Sequence, residues 1–134
     1  MSRERFTERQ VELTRAAARL AEAVREPETP IVRDAVIKRF EFTFELVWKA
    51  LQLYLEHQGL ESEGPRAALK KAFTAGLIAT PEEADVWLRM LDDRNLTTHA
   101  YDEALARRIY ENVVRDYAAR LERMAARIQT LPWD

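Results

Sequence analysis

Cysteine is absent from the 134 residues, which excludes a disulfide scaffold, a thiolate metal site and a cysteine nucleophile. Glycine and proline are scarce, three and five residues, and all stand near expected element boundaries. That leaves little room for the turns a sheet protein needs. No apolar run approaches the roughly 20 residues of a membrane span. The N-terminal Met1-Ser2-Arg3-Glu4-Arg5 mixes charges and is followed by no apolar core of a signal peptide. The expectation is a cytoplasmic protein with no membrane partner. Gly-rich phosphate loops are missing, and there are only two histidines. A basic surplus is missing too: the net charge of −2 argues against a broad, nonspecific nucleic-acid binder, though it leaves room for a small, locally basic cleft.

What is present is helical pattern. Hydrophobic residues make up 47% and charged residues 33% of the chain, and the length fits one domain over 1–134 with a core that needs no staples. The first helix is expected over 2–26, with Phe6, Val11, Leu13, Ala17, Leu20, Ala21 and Val24 near helical spacing. Pro27 and Pro30 stop it, and Thr29-Pro30 reads as the N-cap and first position of a second helix over 30–58. On that helix the polar residues Asp34, Lys38, Glu41, Glu45, Lys49, Gln52 and Glu56 form one narrow stripe, and nearly everything else from Phe40 to Leu55 is apolar. Phe42, Leu46 and Leu53 cannot share a face with Phe40, Phe44, Val47 and Leu51. A helix apolar on two sides is buried in the middle of a bundle or covered in part by another subunit. In so short a chain the second option predicts a homodimer.

Gly59 reads as the residue that ends this helix. A brief helix follows over 65–75, carrying Ala68, Leu69, Ala72 and Phe73 and closed by Gly76. Thr80-Pro81-Glu82-Glu83 is a capping-box start for a fourth helix over 81–96 that buries Ala84, Trp87, Leu88 and Leu91. A fifth is expected from about 100 to 129, with Leu105, Ile109, Val113, Tyr117 (or Val114), Leu121 and Met124–Ala125 as its stripe. The fold class is all-α: an up-and-down antiparallel bundle of four long helices and one short one.

Chemistry gathers in one stretch, Arg94-Asn95-Leu96-Thr97-Thr98-His99-Ala100-Tyr101. Five residues on an unbroken helix turn the side chain by roughly 500°, so Arg94 and His99 would point about 140° apart. Either the helix ends between them or a second copy of the chain completes the site. Thr97-Thr98 is a suitable break, with Thr98 placed to cap a new helix whose first turn carries Asp102 and Glu103. A histidine with an ordinary pKa near 6.5 gives or takes a proton at neutral pH, and the arginine fork suits a phosphate. With Asn95 as an orienting group, the set matches metal-free RNA cleavage, in which the arginine steadies charge building on the phosphoryl oxygens. Read as ordinary packing, His99 is an interhelical polar residue and Arg94 pairs with Asp92, Asp93 or Asp102. Glu41 and Glu45, one turn apart, have Lys38 and Lys49 as i,i+3 or i,i+4 partners. His57 favours the C-terminal end of its helix dipole. Trp48, Trp87 and Trp133 read as core or interface. No His/Asp/Glu cluster has metal-ligand spacing, so no metal and no cofactor is implied.

Arg94-x4-His99-x-Tyr101 resembles the signature of the HEPN superfamily, and within it the nucleotidyltransferase substrate-binding proteins. The stretches Arg39 to Leu46, Pro65 to Gly76 and Trp87 to Asn95 fall in the order this subfamily shows. The resemblance implies a ribonuclease toxin paired with a separate minimal nucleotidyltransferase. It further implies that two copies of the motif meet across a homodimer, with Arg94, Asn95 and His99 catalytic on an RNA substrate. It implies that the partner transfers AMP to Tyr101, and that Glu41 and Glu45 line the cleft. Under the older family name, the alternative is a non-catalytic nucleotide- or substrate-binding subunit of a two-component nucleotidyltransferase. A purely structural helical module is the third reading.

Overall fold

The computed structural model describes residues 2–99 and 101–134. Helix α1 spans Ser2–Val24, α2 Pro30–His57, α3 Gly64–Thr74 and α4 Pro81–Leu96. A single 3-10 turn, Thr97–His99, follows α4. The last rod, α5, covers 103–129: α-helix over Glu103–Asn112 and Ala118–Gln129, joined by a π-helical turn at Val113–Tyr117. No strand occurs among the described residues.

The ends lie where the local chemistry sets them. Thr29 Oγ1 accepts from the Val32 amide at 3.1 Å and Thr80 Oγ1 from the Glu83 amide at 3.1 Å, each with proline just inside the helix. At the far end of α2, the Gly59 amide donates to the Glu56 carbonyl and the Leu60 amide to the Leu55 carbonyl. Gly59, at φ +83, supplies the left-handed residue this closure needs. Helix α1 stops two residues short of the expected 26. The Arg25 and Glu26 amides turn in to the Glu22 and Ala23 carbonyls, tightening the chain ahead of Pro27.

Helix α2 is the axis of the bundle. Helix α1 and the length of α5 pack on it, and α3 bridges it to α4. Phe40, Phe44, Val47, Ala50, Leu51 and Leu55 of α2 are wholly enclosed, and a large apolar side chain fully buried on folding contributes roughly 1.5–3 kcal/mol. The second apolar face meets the same fate: Leu46 and Leu53 are buried too. Only Phe42 of that group stands out, 56% exposed. The two-sided pattern is therefore answered inside one chain, and it no longer argues for a second subunit.

Three further sequence expectations shift. Val11 is 48% exposed, because Leu13, which lies across α1 from it, faces the core with Phe6, Ala16, Ala17 and Leu20. Phe73 sits at the edge of α3 and stays partly exposed. Helix α5 begins at Glu103; its expected start at 100 falls outside the described residues. Asp102, not Thr98, is its N-cap, accepting from the Leu105 amide at 3.1 Å. The Thr98 hydroxyl instead donates back to the Asn95 carbonyl.

The π turn has a packing cause. Ile109, Val113, Tyr117 and Leu121 are all buried, at a strict spacing of four. On an α-helix that stripe drifts by about 40° per step, or about 120° over three steps. One extra residue in a wider turn takes up about 100° of this and keeps all four side chains on the core.

Candidate active site

A helix break, one of the two arrangements the side-chain directions leave open, lies between Arg94 and His99. Helix α4 ends at Leu96, and the 3-10 turn closes with the Asp102 amide donating to the His99 carbonyl at 3.0 Å. Arg94, on the last turn of α4, faces α2: its Nε lies 3.2 Å from Glu45 Oε2. This is a charge contact without an aligned hydrogen bond, since the enclosed Nε has no hydrogen-bond partner. Glu45 also has Lys49 Nζ at 3.9 Å. One turn back on α2, Glu41 accepts from the buried Thr97 hydroxyl and, at 3.3 Å, from Lys38 Nζ. Thr97 Oγ1 sits 2.7 Å from the Arg94 carbonyl as well, so it ties the end of α4 to α2. A hollow of about 440 Å³ opens beside these groups, lined by Asp34, Ile37, Lys38, Glu41 and Thr97.

His99 and Tyr101 are exposed beyond the break. Their rings meet edge-on, centroids 5.9 Å apart, with His99 Nδ1 3.4 Å from the Tyr101 hydroxyl. Tyr101 is 85% exposed. Asn95 is exposed on the outer side of α4. Among the described residues no hydrogen bond joins Arg94 to His99 or Asn95 to either. The chain thus brings Arg94, Glu45, Glu41 and Thr97 together, and holds His99 with Tyr101 in the open.

The packing partners expected for Arg94 are otherwise engaged. Asp92 pairs with Arg66 at 3.1 Å, Asp102 caps α5, and Asp93 is the hub of a network the sequence reading missed. Asp93 is buried and accepts from Arg108 Nη2 at 3.1 Å, Asn112 Nδ2 at 3.1 Å and the Tyr117 hydroxyl at 2.7 Å. Three donors from one helix satisfy both oxygens of this carboxylate, which an enclosed charge requires. Burial, and then the bond to Asp93, push the Tyr117 phenol well above its ordinary range. The signal was legible in principle: Asp93 follows Met90 by three residues on the inner side of α4.

His57 stacks on Trp133, centroids 3.9 Å apart, and Trp133 on Phe6 at 5.1 Å, so this histidine packs with the tail. Trp48 is half-buried and Trp87 wholly enclosed. Among the described residues no three of His, Asp and Glu gather as metal ligands, and no helix is long and apolar enough to cross a membrane.

Comparison with known proteins agrees with the fold. Probable ribonuclease HepT of Haemophilus influenzae is 29% identical over 92 residues, 62% of this chain and 61% of that protein, so the match spans less than two thirds of the relative. A crystal structure of a Thermus thermophilus protein superposes with a TM-score of 0.80 at 44% identity, covering 87% of this chain and 98% of that one. The model of the family described as nucleotidyltransferase substrate binding protein like matches residues 8–130. Since that match reaches all five helices and takes in the whole Arg94–Tyr101 motif, the chain belongs to the HEPN-type nucleotidyltransferase substrate-binding family.

Proposed function

We propose that the protein is a metal-independent endoribonuclease whose active site is completed by a second copy of the chain. The observation that carries this reading is the helix break, which leaves His99 exposed while Arg94 is turned to Glu45 on α2. A homodimer that apposes two such motifs supplies histidine and arginine to one phosphate. His99 takes the proton of the 2′-hydroxyl as it attacks the adjacent phosphorus; the bond from phosphorus to the 5′-oxygen breaks, leaving a 2′,3′-cyclic phosphate, and the departing 5′-oxygen takes a proton from the second copy's histidine or from water. Arg94 steadies the charge on the phosphoryl oxygens, and Asn95 orients the strand. Glu45 holds the Arg94 fork in place, and Glu41, through Thr97, fixes the turn from which His99 projects. The ribonuclease name of the Haemophilus influenzae relative supports the activity.

Regulation falls to Tyr101. Its exposure and its position edge-on to His99 suit its phenol oxygen to attack the α-phosphorus of ATP held by a separate minimal nucleotidyltransferase, taking AMP as pyrophosphate leaves and giving up its proton to water. An adenylyl group there adds negative charge and bulk beside His99 and closes the cleft. The family description favours a second reading, a non-catalytic subunit that presents Tyr101 or a bound nucleotide to that partner.

The test compares wild type with His99→Ala, each expressed without a partner and checked by intact mass. Cleavage of RNA by unmodified wild type, lost in His99→Ala with the oligomer unchanged, is the expected result. Unmodified wild type that cleaves nothing would leave the binding-subunit reading in its place.

A further inference from the structure

A hollow of about 520 Å³ lies between α4 and α5, on the far side of α4 from Glu45, and its lip is the helical turn that carries the motif. Asp92, Asp93 and Leu96 of that turn line it, next to Arg94 and Asn95. Three arginines face it: Arg89 from α4, and Arg108 and Arg115 from α5. The hollow holds three carboxylates as well, and each is already matched. Asp93 takes its three donors from α5. Asp92 is paired with Arg66 at 3.1 Å and Asp116 with Arg120 at 2.8 Å, both arginines lying outside the lining.

One guanidinium group is left over and a second is loosely held. Among the described residues Arg89 forms no ion pair, and Arg115, its side chain 78% exposed, reaches only Glu111 at 4.0 Å. Arg89 and Arg108 share the lining with the buried Tyr117. In a chain with net charge −2, one arginine without an ion pair among the described residues and one loosely paired arginine thus face a single hollow beside the motif. Guanidinium forks fit phosphate oxygens in pairs.

We propose that the α4–α5 groove binds the sugar–phosphate backbone of the RNA strand entering the motif, with Arg89 and Arg115 as its phosphate contacts. The proposal rests on the ribonuclease reading and adds to it a path for the substrate. It is tested by binding of a fluorescein-labelled single-stranded RNA of mixed sequence to His99→Ala protein, which keeps the probe intact. Adding Arg89→Glu and Arg115→Glu is expected to weaken binding by about tenfold or more and to flatten its salt dependence by about one to two log units per log unit of salt. A charge-matched control, Arg3→Glu with Arg5→Glu on exposed positions of α1, is expected to change little. In protein that keeps His99, the groove variant raises KM more than it lowers kcat.

Equal weakening by the control, unchanged binding in the groove variant, or no binding by either protein would overturn the proposal. Loss of the oligomer in the groove variant, measured by light scattering, would overturn it too and assign the groove to contact between copies. The two readings fail separately. Cleavage by wild type with binding insensitive to Arg89 and Arg115 removes the groove alone, whereas groove-dependent binding without cleavage by unmodified wild type removes the nuclease alone.

Discussion

Asp93 and Arg94 are neighbours in sequence that point about 100° apart on α4, and the pair shows how much a single residue's position on its helix decides. Arg94 meets Glu45 of α2, while Asp93 gathers Arg108, Asn112 and Tyr117 of α5. Removing the carboxylate strands three donors around an enclosed site. Asp93→Ala is therefore expected to cost about 2–4 kcal/mol in urea unfolding, and Tyr117→Phe, which removes one donor, about 1–2 kcal/mol. The raised Tyr117 phenol gives the second experiment a pH signature. A group whose folded pKa lies above its unfolded value contributes its stability below the unfolded pKa, near 10 for tyrosine, and loses it as pH rises beyond that. Wild type should lose stability above about pH 10 more steeply than Tyr117→Phe; parallel curves for the two proteins would contradict the network. At this scale the motif itself was readable, because arginine, histidine and tyrosine announce their chemistry. Asp93 was not singled out, because nothing in composition separates it from Asp92, and only its line with Met90 puts it inside.

At the scale of elements, the caps were readable and the π turn was not. Threonine ahead of proline marks a helix start by a local bond, so Thr29 and Thr80 could be assigned from a few residues of sequence. Thr80→Ala should cost about 1 kcal/mol in thermal or urea unfolding, and an unchanged midpoint would mean the cap contributes nothing. The π turn answers a tertiary demand, that residues spaced by four share one face. Its trace in the sequence is that Val114 and Tyr117 both fit the stripe after Val113. A deletion test follows. Removing Val114, exposed within the turn, restores α-helical spacing to the stripe and should leave a folded protein by circular dichroism and Tm. Removing the exposed Glu122 from the regular helix that follows rotates Met124, Ala125 and Ile128 by about 100° out of the core and should unfold it. Equal tolerance of both deletions would refute the packing account. The cap of α5 differs from the expected Thr98 for a simpler reason: Thr98 and Asp102 are both good caps, and the Thr98 hydroxyl donates instead to the Asn95 carbonyl.

For the whole molecule, scarcity of glycine and proline together with helical periodicity was enough to give an all-α bundle, and the relatives agree with it. The sequence could not say what covers α2. Hydrophobic pattern records that a face is buried, not by which chain, and here the chain's own helices cover nearly all of it. The case for two copies now rests on the motif, whose arginine and histidine stand on either side of a helix break without touching. Co-expressing Arg94→Ala chains with His99→Ala chains tests this most directly. Each parent alone is expected to be inactive, and the mixed dimer to regain RNA cleavage, because one chain still brings His99 and the other Arg94. A mixture no more active than its two parents, with mixed dimers verified by mass, would contradict a site shared between copies.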